Sequence, residues 1–371
     1  MKIGCPKEIK NNEFRVGLTP NAVRAYVSAG HSVFIEKGAG LGSAITDDEY
    51  SAAGAAILNT AAEVWNSAEM LVKVKEPLEQ EYKLMKENQL VYTYFHFAAD
   101  KPLLDACLKQ KIIALAYETV QEGRALPLLK PMSEVAGRMS VLMGGFYSAK
   151  TQGGRGLLPM GVTGVAPANI VILGGGSVGT NAAWTAAGLG ARVTILDINL
   201  QRLEYLGEIL PANVKAIYND EMALETYVKD ADIVIGAVLI PGAKAPKLIK
   251  RDHLKKMKQG AVLVDVAIDQ GGCFETSHPT KHDDPVFVVD GIIHYCVANM
   301  PGAYARTSTF ALNNATISYG LQLANKGAEK ACRENPALLS GLNAYKGEVT
   351  FPGVAQAFGL PLKDAAEAVS R

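Results

Sequence analysis

Gly174, Gly176 and Gly179 close the run Asn169-Ile-Val-Ile-Leu-Gly-Gly-Gly-Ser-Val-Gly179, an apolar stretch ending in glycines spaced as GxGxxG. In that pattern the first glycine permits a tight turn and the second lets backbone approach a pyrophosphate. The third lets a following helix pack on the strand. The phosphates would rest on the helix N-terminus, where unpaired N–H groups and the helix dipole favour negative charge. A glycine turn between strand and helix is also ordinary loop chemistry, but here its context is specific. Arg192-Val-Thr-Ile-Leu-Asp197 is a second apolar run that ends in an acid. That acid lies at about the twenty-residue distance where a carboxylate accepts hydrogen bonds from adenosine ribose hydroxyls. A 2′-phosphate there meets a like charge, so the pattern points to NAD in preference to NADP. Arg202 is the neighbour that can accommodate a phosphate instead.

A second group of charged residues sits beside apolar runs. Arg15, in Glu13-Phe-Arg-Val-Gly-Leu-Thr-Pro20, offers a planar guanidinium that can clamp a carboxylate through two parallel hydrogen bonds; its bland alternative is a surface pair with a neighbouring acid. Lys73 and Lys75 interrupt Met70-Leu-Val-Lys-Val-Lys-Glu-Pro77 two residues apart, which puts both on one face of an extended strand; Glu76 can pair with either. The C-terminal end of a parallel strand is where α/β ligands bind, which favours Lys75 over Lys73. His96 ends Val91-Tyr-Thr-Tyr-Phe-His-Phe97 in line with Lys75, although a lone histidine in apolar company is more often a satisfied core residue. In Val264-Asp-Val-Ala-Ile-Asp-Gln-Gly-Gly272, Asp265 reads as a structural acid. Asp269, beyond the strand end, is the general-base candidate facing a nicotinamide crevice. The remaining histidines lack the helical pairing of a zinc site, so no metal is expected.

These residues need elements to position them. A chain of 371 residues with 49% hydrophobic content implies two domains. With 37 basic and 37 acidic residues it has no field to attract nucleic acid or an anionic membrane. The five cysteines are scattered, odd in number and without CxxC pairing, which suits reduced structural thiols. No signal pattern or membrane-spanning run is visible, and a cytoplasmic protein is expected. Strands are expected at Lys2 to Cys5, Ser32 to Glu36, Met70 to Val74, Leu90 to Thr93 and Ile112 to Ala116. A second set falls at Asn169 to Leu173, Arg192 to Asp197, Val214 to Tyr218, Ile233 to Ala237, Ala261 to Val266, Val286 to Val289 and Ile292 to Cys296. Helices are expected at Pro20 to Ala29 with Thr19 as cap, Leu78 to Glu87, Ser133 to Lys150 and Thr309 to Asn325. Pro336 to Ala344 and Leu362 to Val369 follow, with no further strong strand after residue 302. The alternation predicts an α/β protein of two doubly wound domains. A Rossmann domain over 129–305 is inserted in a discontinuous substrate domain over 1–128 and 306–371, with a cleft between them.

Beyond the glycine turn, the chain resembles the alanine dehydrogenase and transhydrogenase NAD-binding subunit family over essentially its whole length. The resemblance rests on Lys7-Glu-Ile-Lys10, Glu13 to Thr19, Val72 to Pro77, Thr93-Tyr-Phe-His-Phe97, Gln152-Gly-Gly-Arg-Gly156, Val262 to Gly272 and Asn299-Met-Pro-Gly302. Within that family it is most similar to bacterial L-alanine dehydrogenases. That likeness implies reversible deamination of L-alanine to pyruvate and ammonium, with hydride passing to NAD, in a homo-oligomer that is commonly a hexamer. It also implies that Arg15 and Lys75 hold the substrate's carboxylate and carbonyl oxygen, and that His96 and Asp269 are the acid/base groups. For NAD it implies contacts from Ser133, Ser177, Val178, Asp197, Arg202, Val238 and Leu239. Val266, Ala267, Ile268 and Asp269, then Val297, Ala298, Asn299 and Met300, would border the nicotinamide.

Two local departures stand out. His278 and Lys281 occupy a loop that varies among relatives, and no contact is assigned to them. Tyr304-Ala305 replaces the Val-Pro expected after Gly302, which bears on the stiffness of that loop. The competing readings are a transhydrogenase-like subunit, which would need a membrane partner, a saccharopine-type dehydrogenase, and a non-catalytic NAD-sensing module. Arg15, Lys75 and His96 together favour amino-acid chemistry, and a sensor is expected to have lost its acid/base groups.

Overall fold

The computed structural model describes residues 1–238 and 245–370. The chain forms two compact units, Met1–Met132 together with the chain from Gly302 onward, and Ser133–Pro301. In chain order the strands are β1 (Lys2–Cys5), β2 (Ser32–Glu36), β3 (Ala56–Leu58), β4 (Met70–Val72), β5 (Leu90–Thr93) and β6 (Ile113–Ala116). The second unit holds β7 (Asn169–Leu173), β8 (Arg192–Asp197), β9 (Val214–Tyr218), β10 (Ile233–Gly236), β11 (Val262–Asp265), β12 (Val286–Val289) and β13 (Ile292–Tyr295). Two more, β14 (Leu342–Tyr345) and β15 (Glu348–Val349), return to the first unit.

The first unit is one sheet in the order β15-β14-β6-β5-β4-β1-β2-β3, parallel from β6 to β3 with an antiparallel hairpin at its edge. The connection from β1 runs to one side and that into β4 to the other, so the order reverses beside β1. In open α/β sheets, ligands bind outside the strand ends at such a reversal. Thr19 caps the helix Pro20–Ser28 by accepting from Ala22 N–H at 3.3 Å, with Pro20 preset for the first turn.

The second unit orders its strands β12-β13-β11-β10-β7-β8-β9, parallel except for β12. Its reversal lies at β7, immediately before the glycine turn. Successive side chains of β7 enter opposite faces: Ile170 and Ile172 join one core, Val171 and Leu173 the other. Burial on both faces is why these strands are continuous apolar runs.

Four expectations are corrected. β4 ends at Val72, so Lys73 and Lys75 lie beyond the strand and do not share a strand face. The helix expected over Leu78 to Glu87 is reduced to Glu79–Tyr82, because Glu81 is drawn inward to Lys73 and the chain turns at Asn88, with φ 63°, into β5. The helix beginning at Pro336 stops at Gly341, since Leu342, Asn343 and Ala344 are buried against β6 as β14. Strands therefore do occur after residue 302. Lys346 and Gly347, both at positive φ, make the two-residue turn of the β14–β15 hairpin, the geometry that matches strand twist.

Candidate active site

In the second unit the three glycines are required by contact. A Cβ on Gly179 would stand 1.8 Å from Gly174 O, and Gly174 adopts φ +101° against the carbonyl of Ala237. A Cβ on Gly176 would meet nothing within 4 Å, so the space above that residue is open. Gly176 caps the helix Ser177–Gly188 with no side chain, which leaves the first N–H groups of a twelve-residue helix directed at that space. The helix Lys130–Tyr147 passes close enough that a Cβ on Gly137 would lie 2.3 Å from Val178 O. Ser133, four residues earlier, shares that helix face.

Asp197, at the end of β8, is already engaged: it accepts from Gly175 N–H at 2.6 Å and from Asn199 N–H at 2.8 Å. Arg202 lies over the Tyr205 ring and donates to Gly175 O at 2.6 Å and Thr180 Oγ1 at 2.7 Å. Its guanidinium therefore braces the glycine turn. Asn219 escaped the sequence reading. It follows β9 next to Asp197, whose carbonyl accepts its N–H at 2.9 Å, and its Oδ1 is buried with no hydrogen-bond partner. An orphaned acceptor beside the acid fits a ligand hydroxyl. The β8–β9 register, pairing Asp197 with Tyr218, was the available signal.

Asp265 is fully buried and takes hydrogen bonds from Ala267, Cys273 and Phe274 N–H and from Ser277 Oγ. Burial raises its carboxyl above the ordinary range against the opposing pull of these donors. It thereby fixes the 3-10 turn Val266–Gln270, on which Asp269 is exposed while Ile268 is buried. Val266 and Ala267 are half-buried on that turn, as are Val238 after β10 and Ala298 and Asn299 after β13. Val297 and Met300 are core residues, which leaves chiefly their backbone for a ligand. Leu239 lies outside the described residues.

In the first unit Arg15 is 2% exposed and held edge-on by Glu13, Nε to Oε1 at 2.7 Å and Nη2 to Oε2 at 2.5 Å. Burial opposes its charge, but Glu13 outweighs burial and the guanidinium is held above its usual range. Its Nη1 is 3.0 Å from the sulfur of Met132. The surface pair weighed as the alternative is thus a buried pair. Lys73 is fully buried between Glu8 at 3.1 Å and Glu81 at 3.0 Å, and is a structural cation. Glu8 also accepts from Val74 N–H at 2.6 Å and Lys75 N–H at 3.2 Å, pinning the backbone that presents Lys75. Burial pushes Glu76 up, but Lys75 and Lys10 outweigh it and hold that carboxyl below the ordinary range.

His96 follows β5 by three residues, at φ 52° and half exposed, with its ring stacked on Tyr94 at 5.8 Å. Arg15, Lys75 and His96 thus follow β1, β4 and β5, three adjacent parallel strands. Glu8, Met132 and the clamping role of Glu13 were missed, because nothing in their spacing separates them from surface residues. Among the described residues, no group of three or more histidine, cysteine or acidic side chains could hold a metal, and no helix is long and apolar enough to cross a membrane.

Two family models divide the chain between them: the alanine dehydrogenase/PNT N-terminal domain over residues 4–136 and the C-terminal domain over 140–352. The chain belongs to the alanine dehydrogenase/PNT family. It is 57% identical to an alanine dehydrogenase of Methanococcus maripaludis and 54% identical to one of Staphylococcus haemolyticus, covering all of this chain and 100% and 99% of theirs. Among solved structures it matches an L-alanine dehydrogenase with TM-score 0.94 at 51% identity, over 97% of this chain and 99% of that one. A transhydrogenase from Sinorhizobium meliloti matches with TM-score 0.81 at 25% identity, over 95% and 99%. Like its alanine dehydrogenase relatives, this family member is an α/β oxidoreductase.

Proposed function

We propose that this enzyme catalyses the reversible, NAD-dependent oxidative deamination of L-alanine to pyruvate and ammonium. The observation that carries the reading is the gathering of Arg15, Lys75 and His96 after three adjacent strands at the sheet's reversal point. A subunit that passes hydride between cofactors, or one that merely senses NAD, has no use for that set.

Gly174, Gly176 and Gly179 with Ser177, Val178 and Ser133 would hold the pyrophosphate, and Asp197 and Asn219 the adenosine ribose. Val238 would lie alongside, with 266–269 and 297–300 toward the nicotinamide. NAD, when bound, accepts the hydride from the substrate α-carbon. Arg15 then serves the carboxylate, its orientation preset by Glu13 so that little freedom is lost on binding. Lys75, nearly buried, supplies positive charge where a carbinolamine oxygen becomes negative, an interaction strengthened by the scarcity of water around it. It acts as a charge and forms no Schiff base. His96 takes the proton that leaves the substrate ammonium and releases it to solvent, then takes one from the water that attacks the iminium carbon and gives it to the amine; as ammonia departs, the carbinolamine hydroxyl gives up its proton and the carbonyl forms. Asp269 is the second acid/base group.

Five buried, unpaired cysteines suit a reducing, cytoplasmic setting. A homo-oligomer, by resemblance a hexamer, is supported by exposed apolar residues on the second unit: Leu142, Phe146, Leu158, Met160, Val162 and Val165. The test is alanine-dependent reduction of NAD with release of pyruvate and ammonium in equal amounts. Failure of either product to appear contradicts the reading.

A further inference from the structure

We propose that Glu118 is the positioning residue that holds His96 in its working conformation; this rests on the reading of His96 as the proton-transfer group. His96 is a non-glycine residue at φ 52°, in the left-handed region that side chains avoid, so something must hold it there. The Phe95–His96 segment forms no strand pairing, since β5 ends at Thr93. Its N–H groups turn instead to one carboxylate. His96 N–H donates to Glu118 Oε1 at 2.6 Å, and Phe95 N–H donates to the same oxygen at 3.1 Å and to Oε2 at 3.3 Å.

Glu118 is delivered by the 3-10 turn Tyr117–Thr119 directly after β6, the strand adjacent to β5. The clamp is therefore built from two neighbouring strand ends. The carboxylate also faces the ring, with Oε1 3.9 Å from His96 Nδ1. On its other side the ring lies parallel to Tyr94, at an interplanar angle of 4°, and the Tyr94 hydroxyl is anchored to Leu128 O at 2.6 Å. The backbone at His96 is thus held by Glu118 and the face of its ring by Tyr94.

The experiment is a double-mutant cycle on the full chain. Each variant is measured for kcat, pyruvate KM and NADH affinity. Glu118→Ala is expected to lower kcat by about 10- to 100-fold, the scale of a misplaced reacting group, with pyruvate KM and NADH affinity unchanged. Glu118→Gln keeps an oxygen that can accept from both N–H groups, and is expected to restore kcat to within about threefold of the wild type. In the His96→Ala background, Glu118→Ala is expected to cost nothing more, because the residue it positions is gone. A role in general stability would instead give additive losses. If Glu118→Ala does not fold, Glu118→Asp, which withdraws the carboxylate by one methylene, replaces it with the same expectation. The proposal is overturned by unchanged kcat in Glu118→Ala, by a Gln variant as slow as the Ala variant, by a loss carried in KM, or by additive losses. Wild-type turnover in His96→Ala alone would instead overturn the reading of His96, whatever Glu118 does.

Discussion

Replacing Gly179 with alanine tests whether the glycine turn is shaped by contact or merely tolerant of glycine. The new Cβ would lie 1.8 Å from Gly174 O, where ordinary contact begins at 3.4 Å, a shortfall of 1.6 Å. Gly174 has no slack to offer: its N–H is bound to Leu196 O at 2.8 Å and its α-carbon abuts the Ala237 carbonyl. The start of the helix Ser177–Gly188 must therefore move out by most of that distance. Overpacking of this kind costs about 1–3 kcal/mol of stability. If those first N–H groups hold the pyrophosphate, shifting them by more than about 1 Å forfeits a hydrogen bond to a charged group, about 1.5–3 kcal/mol, and weakens NADH binding roughly 10- to 100-fold. Two variants calibrate the result. Gly176→Ala meets nothing in the unliganded protein, so it should fold normally and lose NADH affinity only. Gly188→Ala, in open space at the far end of the same helix, should bind normally and gain roughly 0.5–1 kcal/mol. NADH titration by fluorescence together with thermal unfolding reads all three. Gly179→Ala binding NADH as tightly as the wild type would refute the reasoning.

His96→Ala should lower turnover by about two or more orders of magnitude with NADH binding intact, and near-normal turnover returns His96 to a structural role. Asp197→Asn keeps an oxygen for Gly175 N–H but removes the charge; it should narrow the preference for NAD over NADP, and an unchanged ratio removes Asp197 from that role. Lys73→Met leaves Glu8 and Glu81 buried without their cation and should cost about 3–5 kcal/mol in denaturant unfolding. Burial already holds Glu8 above its ordinary value, and losing Lys73 raises it further. A carboxyl raised on folding favours the native state below its unfolded pKa and loses that advantage as pH rises through the folded one. The Lys73→Met penalty should therefore shrink on acidification above the ordinary carboxylate range, between the Glu8 pKa of the variant and the lower but still raised one of the wild type; a constant penalty contradicts the pairing.

The strands were legible as short apolar runs, unbroken where both faces are buried, as in β5 and β7, and β1, β2, β5, β7, β8, β9 and β12 begin and end where the pattern predicts. β3 and β14 were not legible. Ala56–Leu58 is too short to show a period, and Leu342–Tyr345 continues a helical pattern until the Lys346-Gly347 turn pairs it with its neighbour. The individual charges now proposed for the site stood out as polar residues at the ends of apolar runs. Their partners did not: Glu8 and Glu118 reach the Lys75 and His96 backbone across 67 and 22 positions of sequence, through contacts that only the sheet order creates, and nothing in the sequence says that Glu13 and Arg15, two positions apart, pair in a buried place. The same holds for Lys73 and Lys75. Sequence spacing placed them on one face, whereas the end of β4 at Val72 sends one into a buried ion pair and leaves the other for the proposed site.

The central claim is tested most directly by following NADH oxidation with pyruvate and ammonium, beside pyruvate alone, glyoxylate with ammonium, and an oxidised nicotinamide analogue as hydride acceptor. The account predicts turnover with pyruvate that requires ammonium, and no transfer to the analogue. Hydride exchange between cofactors without ammonium-dependent turnover, or NADH binding with no turnover on any substrate, would contradict it.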